Sequence, residues 1–205
     1  MSSLDATLAN LASRIQLKKA AILLVEPNTQ SMDILAQIFM GFGANQFLKA
    51  TTFEEAQKAS KSAQIELIIC EATLQPFQPD GYEFVSWLRR SGLQPNAYAP
   101  AILVSSHSSA RCVTKARDSG AHFMVMKPLA PTVLLERIVW IAQTNRPFVS
   151  CDAYAGPDRR FQNLGPPDGD GRRATDLSAD VGLAQEPNMS QNEIDGLLKP
   201  AKAAT

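Results

Sequence analysis

The chain has 205 residues, in which 20 Lys and Arg balance 20 Asp and Glu, so its formal net charge is zero. That balance gives no support for a nucleic-acid-binding surface, and no apolar run reaches the roughly 20 residues of a membrane span. The hydrophobic fraction of 45% is that of a globular protein. Three scattered cysteines fit neither a disulfide framework nor a metal site, and the first residues lack signal-peptide features, so we expect a cytoplasmic protein.

Two apolar patterns alternate along residues 20–145. Short continuous apolar runs predict buried strands, and apolar residues three or four positions apart predict helices. The strands are predicted at 20–25, 46–50, 65–70, 100–105 and 122–126, each followed by a helix. This alternation predicts a parallel sheet with right-handed crossovers. Five units in about 125 residues are typical of the doubly wound, flavodoxin-like α/β fold with strand order 2-1-3-4-5.

The two flanks of this domain differ from it in composition. Apolar residues at helical spacing within residues 1–19 predict an amphipathic helix, which would pack on the domain or form a homodimer. Residues 146–187 contain Gly, Pro and Arg but few large aliphatic residues, so we expect a linker or disordered tail. Residues 188–200 regain helical character and predict a short helix.

Polar residues follow four of the predicted strands. The carboxyl ends of parallel strands lie at one edge of such a sheet, where functional groups gather. The residues at these positions are Glu26, Glu71, Ser105 and Lys127. The sequence therefore predicts a site that combines two carboxylates, a hydroxyl group and an ammonium group.

In type and spacing these residues resemble the site of bacterial response-regulator receiver domains, and the resemblance covers residues 20–145. That family has an acidic pair after the first strand, a phosphate-accepting aspartate after the third, Ser or Thr after the fourth, and Lys-Pro after the fifth. Here Glu26 and Pro27 stand at the acidic pair and Glu71 at the phosphoacceptor, and Ser105 and Lys127 stand at the phosphate-contacting positions. The segment 80–83 also resembles the family's Asp-Gly-Phe-Glu helix start.

Two departures from the family pattern predict that the domain is not phosphorylated. Aspartyl phosphorylation needs a carboxylate nucleophile and a Mg²⁺ ion held by acidic oxygens. Pro27 offers no side-chain oxygen, and Glu71 is one methylene longer than aspartate, whereas in-line attack tolerates little misplacement. We therefore expect no cofactor, with Mg²⁺ binding lost or weak. Glu71 either pairs with Lys127 and Ser105 as a mimic of phosphorylation, or is simply solvated.

The family's output position is also changed. Many receivers have Tyr or Phe three residues before the lysine, and rotation of that ring reports activation. This chain has Met124 there, which we interpret as a core residue. Neither a nucleophile–base pair nor a phosphate loop occurs in the sequence, so we expect a binding protein and not an enzyme.

The last part of the chain carries a segment with its own helix signals, namely a capping box and an apolar face. The residues that carry these signals are Ser190, Gln191, Glu193, Ile194, Asp195, Leu197 and Leu198. They resemble the N-terminal docking peptide of the flagellar motor switch protein, which the chemotaxis response regulator recognises. The resemblance implies partner docking. The alternative is a helix packed on its own domain, and the sequence leaves open whether the segment binds its own domain, another copy or a foreign receiver.

Paired arginines precede this segment twice, as Arg159-Arg160 and Arg172-Arg173. Guanidinium groups bind phosphates and guanine edges, so cyclic di-GMP is a candidate ligand, as a resemblance to receiver-like motor effectors with arginine-rich tails implies. The alternative is a solvated linker whose aspartates balance these charges.

The sequence favours a phosphorylation-independent signalling adaptor of a bacterial two-component or chemotaxis pathway. Its expected partners are another receiver, a flagellar or chemotaxis component, or a histidine kinase. The alternatives are a phosphorelay receiver that is still phosphorylated, and an effector that senses a cyclic dinucleotide through its tail. We expect no DNA binding, because the tail has too few apolar residues to pack a helix-turn-helix, and no membrane insertion.

Overall fold

The computed structural model describes residues 17–74, 79–144, 146–159 and 188–198. A parallel five-stranded sheet lies at its centre, in the order β2-β1-β3-β4-β5, which confirms the predicted doubly wound fold. The strands are β1 (Ala21–Val25), β2 (Gln46–Ala50), β3 (Leu67–Glu71), β4 (Ala101–Ser105) and β5 (Phe123–Met126).

Helices connect the strands and cover the sheet. They are α1 (Thr29–Gly41), α2 (Phe53–Ser62), α3 (Gly81–Arg90), α4 (Ala110–Asp118) and α5 (Pro131–Gln143). Side-chain caps fix where several of them begin: Asn28 accepts a hydrogen bond from the Ser31 N–H, and Thr52 accepts one from the Glu55 N–H. The predicted helix within residues 1–19 lies mostly outside the described residues, which begin at a 3₁₀ turn over Leu17–Lys19.

The core lies on both faces of the three central strands. Every residue of β3 and β4 is buried, and only the first residue of β1 is partly exposed. Strand β2 is an edge strand, and only its last residue is buried, which explains its weaker apolar pattern. Strand β5 forms the opposite edge of the sheet.

The structure differs from the prediction of a linker that starts at residue 146. Strands β6 (Phe148–Cys151) and β7 (Tyr154–Pro157) form an antiparallel hairpin. The hairpin packs closely on the domain. The approach is so close that a Cβ at Gly120 would lie 2.4 Å from the Ala155 carbonyl oxygen. Small residues make this contact, and their composition resembles that of a linker. The rest of the predicted linker, from residue 160 to residue 187, lies outside the described residues.

A sixth helix, α6 (Gln191–Leu198), lies within the predicted segment 188–200 and packs against β5 and α4. In this single chain the segment lies on its own domain. Within the described parts of the chain, no helix combines the length and the apolar character that crossing a membrane requires.

Candidate functional site

The four strand-end residues meet at the carboxyl edge of the sheet, and Lys127 lies between the two carboxylates. Its Nζ lies 2.6 Å from Glu71 Oε2 and 2.9 Å from Glu26 Oε2. Both carboxylates are buried, whereas 23% of the lysine side chain is exposed. The ammonium group therefore neutralises charge that water reaches poorly.

Burial disfavours the charged form of Glu71. Desolvation raises the pKa of its carboxyl group above the ordinary value of 4.5, and proximity to Glu26 adds to this effect, although contact with Lys127 opposes it. Its Oε1 accepts a long hydrogen bond of 3.4 Å from the Thr73 N–H. Among the described residues, Oε2 receives no hydrogen bond of good angular geometry, so its close contact with Lys127 is chiefly one of charge.

Lys127 is held by the same pair of carboxylates. Burial lowers the pKa of its ammonium group, but the contacts with Glu71 and Glu26 outweigh burial and leave that pKa above the ordinary 10.5. Glu26 is itself fixed, because its other oxygen accepts a hydrogen bond of 3.0 Å from the Asn28 N–H. The cation is therefore held in its charged form.

Ser105 lies at the end of β4 and is buried. Of the two groups expected to meet Glu71, Lys127 does so. The Ser105 hydroxyl oxygen accepts a hydrogen bond of 3.0 Å from the His107 N–H and so holds the loop between β4 and α4. The Ser105 carbonyl oxygen accepts one of 2.8 Å from the Lys127 N–H, which ties the serine to the lysine through the backbone.

The start of α3 packs directly on the backbone of the site. A Cβ at Gly81 would lie 2.0 Å from the Glu71 carbonyl oxygen, so only glycine fits this approach. Asp80 and Glu83 cap the helix reciprocally through their backbone N–H groups. Lys115 of α4 adds an ion pair of 2.5 Å to Asp80. The glycine and its neighbours thus fix the end of β3 where Glu71 stands.

The residues present do not fit the Mg²⁺ ion that ordinary receivers use. Pro27 has no side-chain oxygen, and the carboxylates of Glu26 and Glu71 both contact the Lys127 ammonium group. Mg²⁺ requires near-octahedral oxygen ligands at short distance. Among the described residues, no three His, Cys, Asp or Glu side chains lie close enough together to hold a metal ion.

Strand β5 joins this site to helix α6 through its outer edge. The Gln191 amide spans two backbone groups of that edge: Nε2 donates to the Met124 carbonyl oxygen at 3.2 Å, and Oε1 accepts from the Met126 N–H at 3.1 Å. One amide thus pairs groups that a sixth strand would otherwise pair. Met124 is fully buried in the core, as interpreted from the sequence.

The residues that precede α6 bond to the loop that follows Ser105. The Met189 N–H donates to the Ser108 carbonyl oxygen at 2.8 Å, and the Ser108 hydroxyl donates to the Met189 carbonyl oxygen at 2.9 Å. The Ser108 N–H donates to Asn188 Oδ1 at 3.1 Å. These hydrogen bonds join Met189, two residues before Gln191, to Ser108, three residues after Ser105.

The body of α6 buries an apolar face and one ion pair. Ile194 and Leu198 are buried, and the Asp195 carboxylate pairs with the Arg137 guanidinium group of α5. Ser190 and Glu193 form the predicted hydrogen bonds at the start of the helix, and Leu197 is 49% exposed. Of the seven predicted docking residues, four therefore face the domain: Gln191, Ile194, Asp195 and Leu198.

We refer to Ser108, Met124, Met126 and Arg137, which contact the tail, as the tail-binding face. The sequence reasoning identified Met124 as an output position but missed the other three. Arg137 offered a sequence signal, because it is a charged residue among the apolar residues of α5, and the structure shows that it is buried. A buried charge in a helix face usually has a partner.

Of the four paired arginines, only Arg159 lies within the described residues. Its guanidinium group lies 2.9 Å from Asp118 Oδ1 and 3.7 Å from the centre of the Tyr154 ring, so neighbouring side chains already occupy it. Arg160, Arg172 and Arg173 lie outside the described residues.

The raised pKa of Glu71 predicts a pH effect on stability. A carboxyl group whose folded-state pKa is raised contributes stability below pH 4.5 that is lost as the pH rises through the folded-state pKa. We therefore expect Glu71→Gln to gain stability relative to the wild type between pH 4.5 and pH 7, measured by urea unfolding. The same substitution at Glu55 is the control. Hydrogen bonds from Thr51 lower the pKa of Glu55, so the pH effect on stability should have the opposite sign. Identical pH profiles for Glu71→Gln and the wild type would contradict a raised pKa.

The fold and the site together define a receiver-type signalling domain. The family model for the response regulator receiver domain matches residues 22–139, more than half of the chain, and the chain belongs to this family. No curated protein matches it.

Solved receiver structures share the fold. A receiver domain of a histidine kinase from Syntrophus aciditrophicus has 26% identity and a TM-score of 0.51, covering 65% of this chain and 98% of that chain. A CheY-like receiver protein from Methanospirillum hungatei has 24% identity and a TM-score of 0.51, covering 58% and 90%. The chemotaxis protein CheY4 from Vibrio cholerae has 20% identity and a TM-score of 0.52, covering 58% and 95%.

Proposed function

We propose that this receiver-family chain is a cytoplasmic signalling adaptor that acts by binding proteins and is not phosphorylated. The observation that carries the proposal is the position of Lys127, whose ammonium group contacts both Glu26 and Glu71 while Pro27 supplies no ligand oxygen. The chemistry of phosphorylation needs a metal ion near a free carboxylate, and here both carboxylates contact the ammonium group. The proposed role is therefore one of recognition and not of catalysis.

The Glu71–Lys127 contact also bears on the signalling state of the domain. The longer glutamate side chain reaches the lysine at 2.6 Å, and the pair joins the ends of β3 and β5. A fixed contact of this kind holds the site in one arrangement, in which a single negative charge replaces part of the charge of a phosphoryl group. We propose that the output of the domain is consequently independent of a kinase.

The partner class is proposed from the family and from the tail. Receiver domains belong to two-component signalling, and the tail segment resembles a docking peptide of the flagellar motor switch protein. A chemotaxis or flagellar component, another receiver or a histidine kinase is therefore the proposed partner.

Phosphorylation is tested with acetyl phosphate and Mg²⁺ followed by intact-mass spectrometry. We expect no phosphoryl group on the wild type, because the nucleophile is displaced and Pro27 supplies no ligand oxygen for the metal. The matched variant is Pro27→Asp combined with Glu71→Asp, which restores both groups and is expected to gain one phosphoryl group. Each single variant should remain unmodified.

One result would overturn the proposal. A phosphoryl group on the wild-type domain that disappears in Glu71→Gln would show that Glu71 is still a phosphoacceptor. The chain would then be a phosphorelay receiver with unusual metal binding.

A further inference from the structure

We infer that residues 4–15, the N-terminal segment, bind as an amphipathic helix to their own domain, in an apolar groove between α1 and α5. The α1–α5 groove is lined by Ile34 and Ile38 of α1 and by Leu135 and Val139 of α5. It lies on the other flank of α5 from the tail-binding face. None of the strand-end site residues lines this groove, so the inference does not depend on the proposed function.

The topology places α1 and α5 on the same face of the sheet. Helices α2, α3 and α4 form one layer, in which α3 contacts both of the others. Helix α1 leads from β1 to β2, in the direction opposite to the later crossovers, so a right-handed connection places it on the other face. Helices α4 and α5 both pack on β5, so α5 lies on the face opposite to α4. Helices α1 and α5 therefore border a groove.

The flank of α1 that faces α5 is apolar and uncharged. Asp33 pairs with Lys49 of the edge strand β2 at 3.1 Å, so the flank that carries Asp33 and Met40 faces that edge. Ile34 and Ile38, one helical turn apart, lie on the opposite flank, toward α5. Ile34 is 54% exposed and Ile38 is partly buried. Asp33 is the only charged residue of α1, so this flank offers an apolar contact alone.

The α5 wall of the groove is buried without belonging to the main core. Leu134 and Ile138 face the sheet, and Arg137 faces α6. Leu135 and Val139, one turn apart, lie on the flank away from α6. They are 0% and 4% exposed, yet neither belongs to the contiguous core that the described residues form. Their burial therefore indicates a further apolar contact, and the N-terminal segment supplies it.

The N-terminal segment ends where the groove opens. Leu17 is buried in the core, and the 3₁₀ turn that it begins leads directly into β1. The Ala20 N–H donates to the Leu17 carbonyl oxygen at 3.1 Å, which closes a turn just before the strand. Helices α1 and α5 run opposite to the strands of the parallel sheet, so they end at the edge where β1 begins. A segment that precedes this turn can therefore lie alongside both helices.

The segment matches the groove in pattern and in length. Its large apolar residues recur at helical spacing and form one stripe, which consists of Leu4, Leu8, Leu11 and Ile15. As an α-helix, residues 4–15 span about 18 Å, close to the roughly 20 Å of the 13-residue helix α1. Asp5 and Arg14, the charged residues of the segment, lie outside the stripe. An uncharged stripe thus meets an uncharged groove.

Covalent attachment favours the segment's own domain over a second copy. Only Gln16 separates the segment from Leu17, which is fixed in the core. A covalently joined ligand has an effective concentration up to about the mM range, so the segment of another copy is outcompeted below that concentration. Pairing of two N-terminal segments between copies would leave the groove of each copy unfilled.

The test measures amide hydrogen exchange of residues 1–16 in the full-length chain by mass spectrometry. Ile34→Asp places a charge in the groove, and Leu8→Asp places one in the stripe of the segment. Met40→Asp is the matched control, because Met40 is 52% exposed on the flank of α1 that faces the β2 edge. Light scattering of the same samples gives the oligomeric state.

We expect residues 1–16 to exchange at least about tenfold more slowly in the wild type and in Met40→Asp than in Ile34→Asp or Leu8→Asp. The wild type should be a monomer at micromolar concentration. Leu8→Asp changes a residue outside the core of the domain, so it keeps the test decisive if Ile34→Asp fails to fold.

Equal exchange in the wild type and in Leu8→Asp would overturn the inference, as would a loss of protection in Met40→Asp as large as that in Ile34→Asp. A wild-type dimer that Leu8→Asp converts to a monomer would overturn it in favour of pairing between copies. None of these outcomes depends on phosphorylation, so failure of this inference is distinguishable from failure of the proposed function.

Discussion

Lys127→Met is expected to lower the free energy of unfolding by about 3 kcal/mol at pH 7, because two buried carboxylates lose the cation that lies between them. Methionine keeps much of the length and the apolar stem of lysine, so the loss comes mainly from the charge. Urea unfolding at pH 7 measures it.

The matched control is Lys115→Met, which removes an ion pair with Asp80 whose lysine side chain is 53% exposed. Exposed pairs contribute at most about 1 kcal/mol, so the control should change stability little. The loss in Lys127→Met should also shrink as the pH falls toward 4.5, because protonation of Glu71 removes one of the uncompensated charges. A loss equal to that of the control, or one unaffected by pH, would show that Lys127 does not stabilise the carboxylates.

Gly81→Ala is expected to destabilise the domain by about 2–3 kcal/mol, although alanine is the better helix former. Its Cβ would lie 2.0 Å from the Glu71 carbonyl oxygen and 2.9 Å from the Cys70 sulfur atom, so the start of α3 must move away from β3. That movement would also shift Glu71 relative to Lys127. Thermal and urea unfolding of the variant measure the effect.

Gly41→Ala is the control for this substitution, because a Cβ at Gly41, the last residue of α1, meets no atom within 4 Å. It should leave stability unchanged or slightly raised. If both variants behave alike, the backbone at Gly81 has more room than the packing of α3 on β3 indicates.

The sequence predicted the main features of the candidate site because the topology fixes them. Parallel strands in one sheet end at the same edge, so Glu26, Glu71, Ser105 and Lys127 must be neighbours once the strand pattern is known. The sequence left open whether Glu71 would reach Lys127 or be solvated, and the structure places the two groups in contact. The loop that Ser105 holds through His107 was not predictable, because it depends on which donor the hydroxyl oxygen accepts a hydrogen bond from.

The hairpin and the tail show where sequence patterns were insufficient. A two-stranded hairpin is marginal alone and is stabilised here by packing on the domain, where Phe148 lies 5.3 Å from the buried Arg89 guanidinium group. The small residues that allow the close approach at Gly120 have the composition of a linker. No local pattern in residues 146–157 indicates that they contact Arg89 and Gly120, which are distant in the chain.

The sequence by itself determined the strand order, the residues of the altered receiver site and the presence of a short capped helix near residue 190, because these depend on local periodicity, caps and topology. Only the tertiary structure decided that Lys127 contacts both carboxylates and that the helix lies on its own domain. The capping box of α6 specifies where the helix begins but not what it binds. Its binding site is set by the open edge of β5 and by Arg137, which lie more than fifty residues away in the chain.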